Sequence, residues 1–99
     1  MNDLDKIAIY KDAIQTFGTP IQIVVCVEEM SELTKELCKD IRDKGNQEHI
    51  AEEIADVWIM LEQMILVFDC EIEVLSYMEQ KLQRLKKYAK ESKGRNIEL

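Results

Sequence analysis

Six acidic residues at a repeated spacing are the part of this 99-residue sequence best suited to chemistry. Glu28, Glu29 and Glu32 stand in Val-Glu-Glu-Met-Ser-Glu-Leu, and Glu52, Glu53 and Asp56 stand in Ala-Glu-Glu-Ile-Ala-Asp-Val. Both strings read E-E-x-x-[ED] followed by an apolar residue. On a helix, residues three apart share a face, with Cβ atoms about 5–6 Å apart. On a helical wheel Glu32 falls about 60° to one side of Glu29, and Leu33, Cys26, Leu37 and Met30 fall about 40–100° to the other. Glu53 and Asp56 stand in the same relation to Val57, Ile50, Leu61 and Ile54. Each acidic pair therefore borders an apolar face. If those faces meet, Glu29, Glu32, Glu53 and Asp56 converge at the rim of the core. Four gathered carboxylates repel one another and must take up protons or a cation. An oxygen-only ligand set favours Mg2+, or Mn2+ in its place, over zinc. The competing reading is two solvated acidic faces.

Other chemistries fail on residue type. A di-iron bundle needs Glu-x-x-His twice, but the only histidine is His49, and Asn46 stands three residues before it. His49 reads as a surface residue. No glycine-rich phosphate loop, Ser/His/Asp set or Cys/His pair can be assembled. Cys26, Cys38 and Cys70 are odd in number and form no CxxC. A disulfide framework and a zinc site are both disfavoured, and a reducing cytosol fits best.

The elements that must position the carboxylates are helices. Only 3 Gly and 1 Pro interrupt the chain, which argues against a barrel or sandwich. One helix is expected from about Asp3 to Phe17, with Leu4, Ile7, Ala8 and Ile14 at helical spacing. Gly18 then serves as a C-cap, Thr19 as an N-cap and Pro20 as a first-turn residue. A second helix runs from about Pro20 to Arg42, striped by Ile23, Cys26, Val27, Met30, Leu33, Leu37 and Ile41. Asp43-Lys44-Gly45-Asn46 turns the chain back, so a third helix, about Gln47 to Phe68, lies antiparallel to the second. A fourth starts near Asp69–Glu71, with Asp69 as N-cap, and runs to about Lys90; Leu75, Met78, Leu82, Leu85 and Ala89 line it. The tail from about Ser92 is expected to fray. The fold class is all-α: a four-helix module in a single domain, residues 1–99, with antiparallel core helices.

The third helix is apolar on nearly every side. Ile50, Ile54, Val57, Leu61, Met64 and Phe68 cover one face, while Ala55, Trp58, Ile59 and Leu66 cover much of the other. A helix apolar all round must be buried all round. Three short neighbours hardly suffice, so a second subunit is expected against it, giving a dimer or tetramer bundle.

Charge narrows the partners. The net charge is −7, which disfavours nonspecific binding to nucleic acid or to an anionic membrane. Residues 1–80 hold 18 acids and 6 bases, whereas residues 81–99 hold 2 acids and 7 bases. The basic end reads either as a solvated helix terminus or as a source of phosphate contacts, with Lys81 and Arg84 on one face. The amino-terminal stretch lacks the pattern of a signal peptide, and the apolar run Val57–Phe68 is too short to span a bilayer. The default expectation is a soluble, cytoplasmic protein.

Glu29-Met-Ser-Glu32 and Glu53-Ile-Ala-Asp56 resemble the ExxE…ExxD signature of the MazG-like all-α nucleoside triphosphate pyrophosphohydrolases. The resemblance spans nearly the whole chain. It implies a four-helix module that pairs into dimers or dimers of dimers. It also implies Mg2+-dependent hydrolysis of a (d)NTP between the α- and β-phosphates, giving the monophosphate and pyrophosphate. Under it, Glu29, Glu32, Glu53 and Asp56 are the metal ligands and catalytic residues. Lys81 and Arg84 become candidate phosphate contacts, from the same or a partner subunit, and Trp58 a candidate stacking surface for the base. The alternative function is a non-catalytic helical interaction or nucleotide-sensing module of the same fold.

Overall fold

The computed structural model describes residues 1–94, which form four helices and no strand: α1 (Asp3–Phe17), α2 (Thr19–Ile41), α3 (Gln47–Phe68) and α4 (Glu71–Gly94). Two compact units divide the chain. The first, Met1–Asp69, holds α1, α2 and α3; the second begins at Cys70 and holds α4. In the first unit α2 and α3 pack against each other as an antiparallel hairpin, and α1 touches both. No helix is long and apolar enough to cross a membrane.

Local chemistry sets the helix ends. Asn2 caps α1 with a capping box, its side chain accepting from Asp5 N–H while the Asp5 carboxylate accepts from Asn2 N–H. Gly18 closes α1 and opens α2 at once, at φ 90°, a conformation that disfavours any side chain. Thr19 is therefore the first helical residue and not the expected N-cap; one glycine does both jobs, and Pro20 follows in the first turn. Asn46 caps α3 by accepting from the N–H groups of Glu48 and His49. Asp69 sits at φ 47°, ψ 52° and ends α3 in the left-handed region. The expectation that it opens α4 is thereby corrected: a short Asp tolerates that conformation, and α4 starts two residues later. Helix α4 continues past Lys90 to Gly94, so Ser92–Gly94 of the expected tail is helical, and 95–99 lie outside the described residues.

Burial departs from the expected stripes. The buried residues of α2 are Gln22, Cys26 and Glu36, and those of α3 are Met60 and Gln63. The stripe residues Met30, Leu37, Ile41, Ile54, Leu61 and Phe68 are exposed. Cys26 of the α2 stripe is nevertheless buried, and Ile23, Leu33, Ile50, Val57 and Met64 are half-buried, so the covered surface mixes apolar and polar side chains. In α1 the buried residue is Tyr10, while Leu4 and Ala8 of the expected stripe are exposed. Tyr10 Oη donates to Glu62 Oε1 at 2.8 Å and ties α1 to α3. Burial first, then the bond to Glu62 and its charge, push the Tyr10 hydroxyl up to about 12.

Candidate metal centre

Helix α2 supplies Glu29 and helix α3 supplies Glu53 and Asp56. One carboxylate oxygen from each lies within 4.8 Å of the others. All three are half-buried. They lie on the α2–α3 hairpin, beside buried Cys26 and half-buried Leu33, Ile50 and Val57. Heptad spacing explains this. Gln22, Glu29 and Glu36 are seven residues apart, as are Asp56 and Gln63. Seven residues make almost two whole turns, so each set shares one face. In the antiparallel hairpin Glu29 opposes Asp56, and the same two-turn step brings Gln22 and Gln63 to one level.

The hairpin connection fixes this pairing. Gly45 packs so tightly that a Cβ there would lie 2.7 Å from Asp40 Cα. Lys44 N–H donates to Lys39 carbonyl oxygen at 2.9 Å. With Asn46 capping the next helix, the connection holds the end of α2 close to the start of α3.

The electrostatics are those of crowded like charges. Glu29 is held above the ordinary carboxylate range by desolvation, then by the charges of Asp56 and Glu53 and a hydrogen bond with Asp56. Glu53 is raised by desolvation, then by Asp56, Glu32, Glu52 and Glu36. Glu53 Oε2 is buried and has no hydrogen-bond partner. Among the described residues, no salt bridge reaches Glu29, Glu53 or Asp56. An acidic site with an orphaned buried oxygen and no basic partner suits a hard divalent cation, which satisfies oxygen ligands and cancels the repulsion together.

The remaining candidates are distributed differently. Glu32 is exposed and stands outside the trio, although its charge is felt by Glu29 and Glu53. Trp58 is 66% exposed; two residues past Asp56, it projects from the opposite side of α3. Lys81 and Arg84 are exposed residues of α4, in the second unit. Glu36, Gln22 and Gln63 are buried although they lie outside the apolar stripes. Their signal was the seven-residue spacing from Glu29 and Asp56, which marks polar residues as inward.

A scan against models of known families, a search of curated proteins and a search of solved structures each found no match.

Proposed function

We propose that this chain is a Mg2+-dependent nucleotide pyrophosphohydrolase of the MazG-like kind, cleaving a (d)NTP to the (d)NMP and pyrophosphate. The observation that carries the reading is the convergence of Glu29, Glu53 and Asp56 from two helices within one oxygen-ligand sphere. The ExxE…ExxD resemblance supplies the reaction.

Glu29, Glu53 and Asp56 would hold the ion, with Glu32 beside them. When bound, Mg2+, or Mn2+ in its place, supplies neutralisation of phosphate charge and Lewis acidity toward phosphate and water. The chain's own residues do the rest. Among the described residues no salt bridge reaches the three carboxylates, so their charge stays available. Glu32, exposed and outside the trio, is placed to accept a proton from the attacking water. Water oxygen then bonds to phosphorus, the α,β-bridging bond breaks, and pyrophosphate leaves with the electron pair. An acidic surface repels a free polyanion, so substrate arrives as its magnesium complex.

The reading extends to a homodimer or homotetramer in the cytoplasm. Its support is the exposure of Ile54, Leu61 and Phe68 on one face of α3 and of Trp58 and Ile59 on the other, since a helix apolar on both sides needs cover on both. In such an assembly Lys81, Arg84 and Trp58 of a second copy become available to a nucleotide. The same apolar faces would serve the alternative, a non-catalytic interaction or nucleotide-sensing module.

The test is a screen of canonical and modified NTPs and dNTPs with Mg2+ or Mn2+, coupled to inorganic pyrophosphatase and phosphate detection. Pyrophosphate release from at least one nucleotide, abolished in Glu53→Gln, is expected. Release from none of them overturns the enzyme reading and favours the module.

A further inference from the structure

The apolar residues of α4 form a seam of coiled-coil period. Leu75, Met78, Leu82, Leu85 and Ala89 follow one another at alternating steps of three and four, and Ser92 continues the alternation. All five apolar residues are exposed, Leu82 by 56% and Leu85 by 62%. Steps of three and four average about 3.5 residues per turn, the period of a left-handed coiled coil. The stripe they make is narrower than the face a helix turns to a globular core. It is the width that one further helix covers. Leu75, Leu82 and Ala89 take the a positions of the heptad, and Met78, Leu85 and Ser92 the d positions. Glu79 and Lys86 then flank the seam at e, and Lys81 and Tyr88 at g.

Charge along the helix is divided. Residues 71–80 hold 3 acids and no base, whereas residues 81–94 hold 6 bases and 1 acid. Among the described residues neither Glu79 nor Lys86 forms a salt bridge. Glu79 Oε1 accepts from Gln83 Nε2 at 3.0 Å, which leaves its charge uncancelled. A helix that is acidic and then basic complements a copy of itself only when the copy is reversed.

We propose that α4 pairs antiparallel with α4 of a second copy along this seam. The proposal rests on the oligomeric part of the reading above, not on the nucleotide chemistry, and names the surface where copies meet. In full overlap Leu82 meets Leu85 of the second copy, Met78 meets Ala89 and Leu75 meets Ser92, each contact repeated by the two-fold axis. Leucine opposes leucine at the centre, and large residues oppose small ones toward the ends. On one flank Glu79 lies beside Lys86 of the second copy. On the other, Lys81 lies beside Tyr88, where a cation and an aromatic ring attract. The helix dipoles run opposite as well. A parallel pair would instead set Lys81 beside Lys86 of its neighbour on both flanks and leave Glu79 facing Val74. Charge thus selects the reversed partner.

Sedimentation equilibrium of the full chain over a range of concentrations tests the contact. Leu82→Glu keeps a strong helix former but places a charge from each copy at the centre of the seam. It is expected to raise the dissociation constant at least about a hundredfold. Lys86→Glu and Glu79→Lys should each raise it roughly tenfold, because attraction becomes repulsion on both flanks. Glu79→Lys/Lys86→Glu should return it close to the wild-type value. These charge variants lie at the solvated edge, so they decide the matter even if Leu82→Glu unfolds the helix. A dimer tightened by Lys86→Glu marks parallel pairing and overturns the proposal. So does an assembly that neither Leu82→Glu nor the charge variants alter, while leaving the oligomer itself intact. A wild type that stays at 11.6 kDa overturns assembly and contact together. If that species sediments with phosphatidylglycerol vesicles, the seam faces a lipid surface instead. Pyrophosphate release is read separately, so this contact and the enzyme reading fail independently.

Discussion

Glu29 and Glu53 are raised above the ordinary carboxylate value of 4.5, and desolvation is the first cause for both. A raised carboxyl means the folded chain holds its proton more tightly than the unfolded chain. The stability it contributes is present below about pH 4.5 and is lost as pH climbs through the higher folded value. Without metal, Tm is therefore expected to fall as pH rises from the carboxylate range toward neutrality. Glu53→Gln and Asp56→Asn should each raise Tm at pH 7 in EDTA by a few degrees and flatten this dependence, because they remove one member of a repelling set. Mg2+ should then raise Tm in the wild type and leave the variants nearly unmoved, through linkage. Thermal melts across pH, with and without Mg2+, check all three outcomes; a Tm lowered by both substitutions would make the carboxylates structural. The identity of these residues was legible in their i, i+3 spacing. The burial of their polar neighbours Gln22, Glu36 and Gln63 was not, because a helical wheel ranks apolar residues as inward.

Among the elements, the α2–α3 hairpin matters most to the site, and its connection is where it is most vulnerable. A methyl group at Gly45 would sit 2.5 Å from Asp40 Oδ1 and 2.7 Å from Asp40 Cα. Backbone cannot yield as a flexible side chain does. Gly45→Ala is expected to cost about 1–3 kcal/mol, the usual range for forced overpacking, and to weaken Mg2+ binding because the two acidic strings shift against each other. Urea titration and calorimetry with Mg2+ read the two effects. A variant with unchanged stability and unchanged metal affinity would show that the connection does not set the site. The extents of α1 and α3 were legible from capping chemistry and apolar spacing, since Gly18 and the turn Asp43–Asn46 both interrupt helical pattern. The caps at Thr19 and Asp69 misled because both residue types suit an N-cap on propensity alone. Gly18 and the left-handed conformation at Asp69 settled those ends instead.

For the molecule as a whole, burial is the telling quantity. No described residue falls below 2% exposure, and the covered apolar set is Tyr10, Cys26 and Met60. On α4 the stripe Leu75, Met78, Leu82 and Leu85 is exposed at every position. So small a core seldom sustains a folded domain. The proposed oligomer is expected to show a mass in light scattering of at least twice the 11.6 kDa chain, with Trp58→Glu shifting it toward the single chain. A clean 11.6 kDa species for the wild type would contradict the assembly. The all-helical class was legible in the scarcity of Gly and Pro. Which face each helix turns inward was not, because both faces of α3 are apolar and periodicity cannot choose between them.

The seven-residue recurrence of Gln22, Glu29 and Glu36 has a cost that the hairpin must meet. A repeat permits slippage: sliding α2 along α3 by one period would leave the seam in phase yet set Gln22 against Asp56 and dissolve the ligand trio. The tether through Gly45 and Asn46 is too short for such a slide. It acts as a stop on a ratchet, and lengthening it would release a second alignment in which the helices still match and the ion has nowhere to sit.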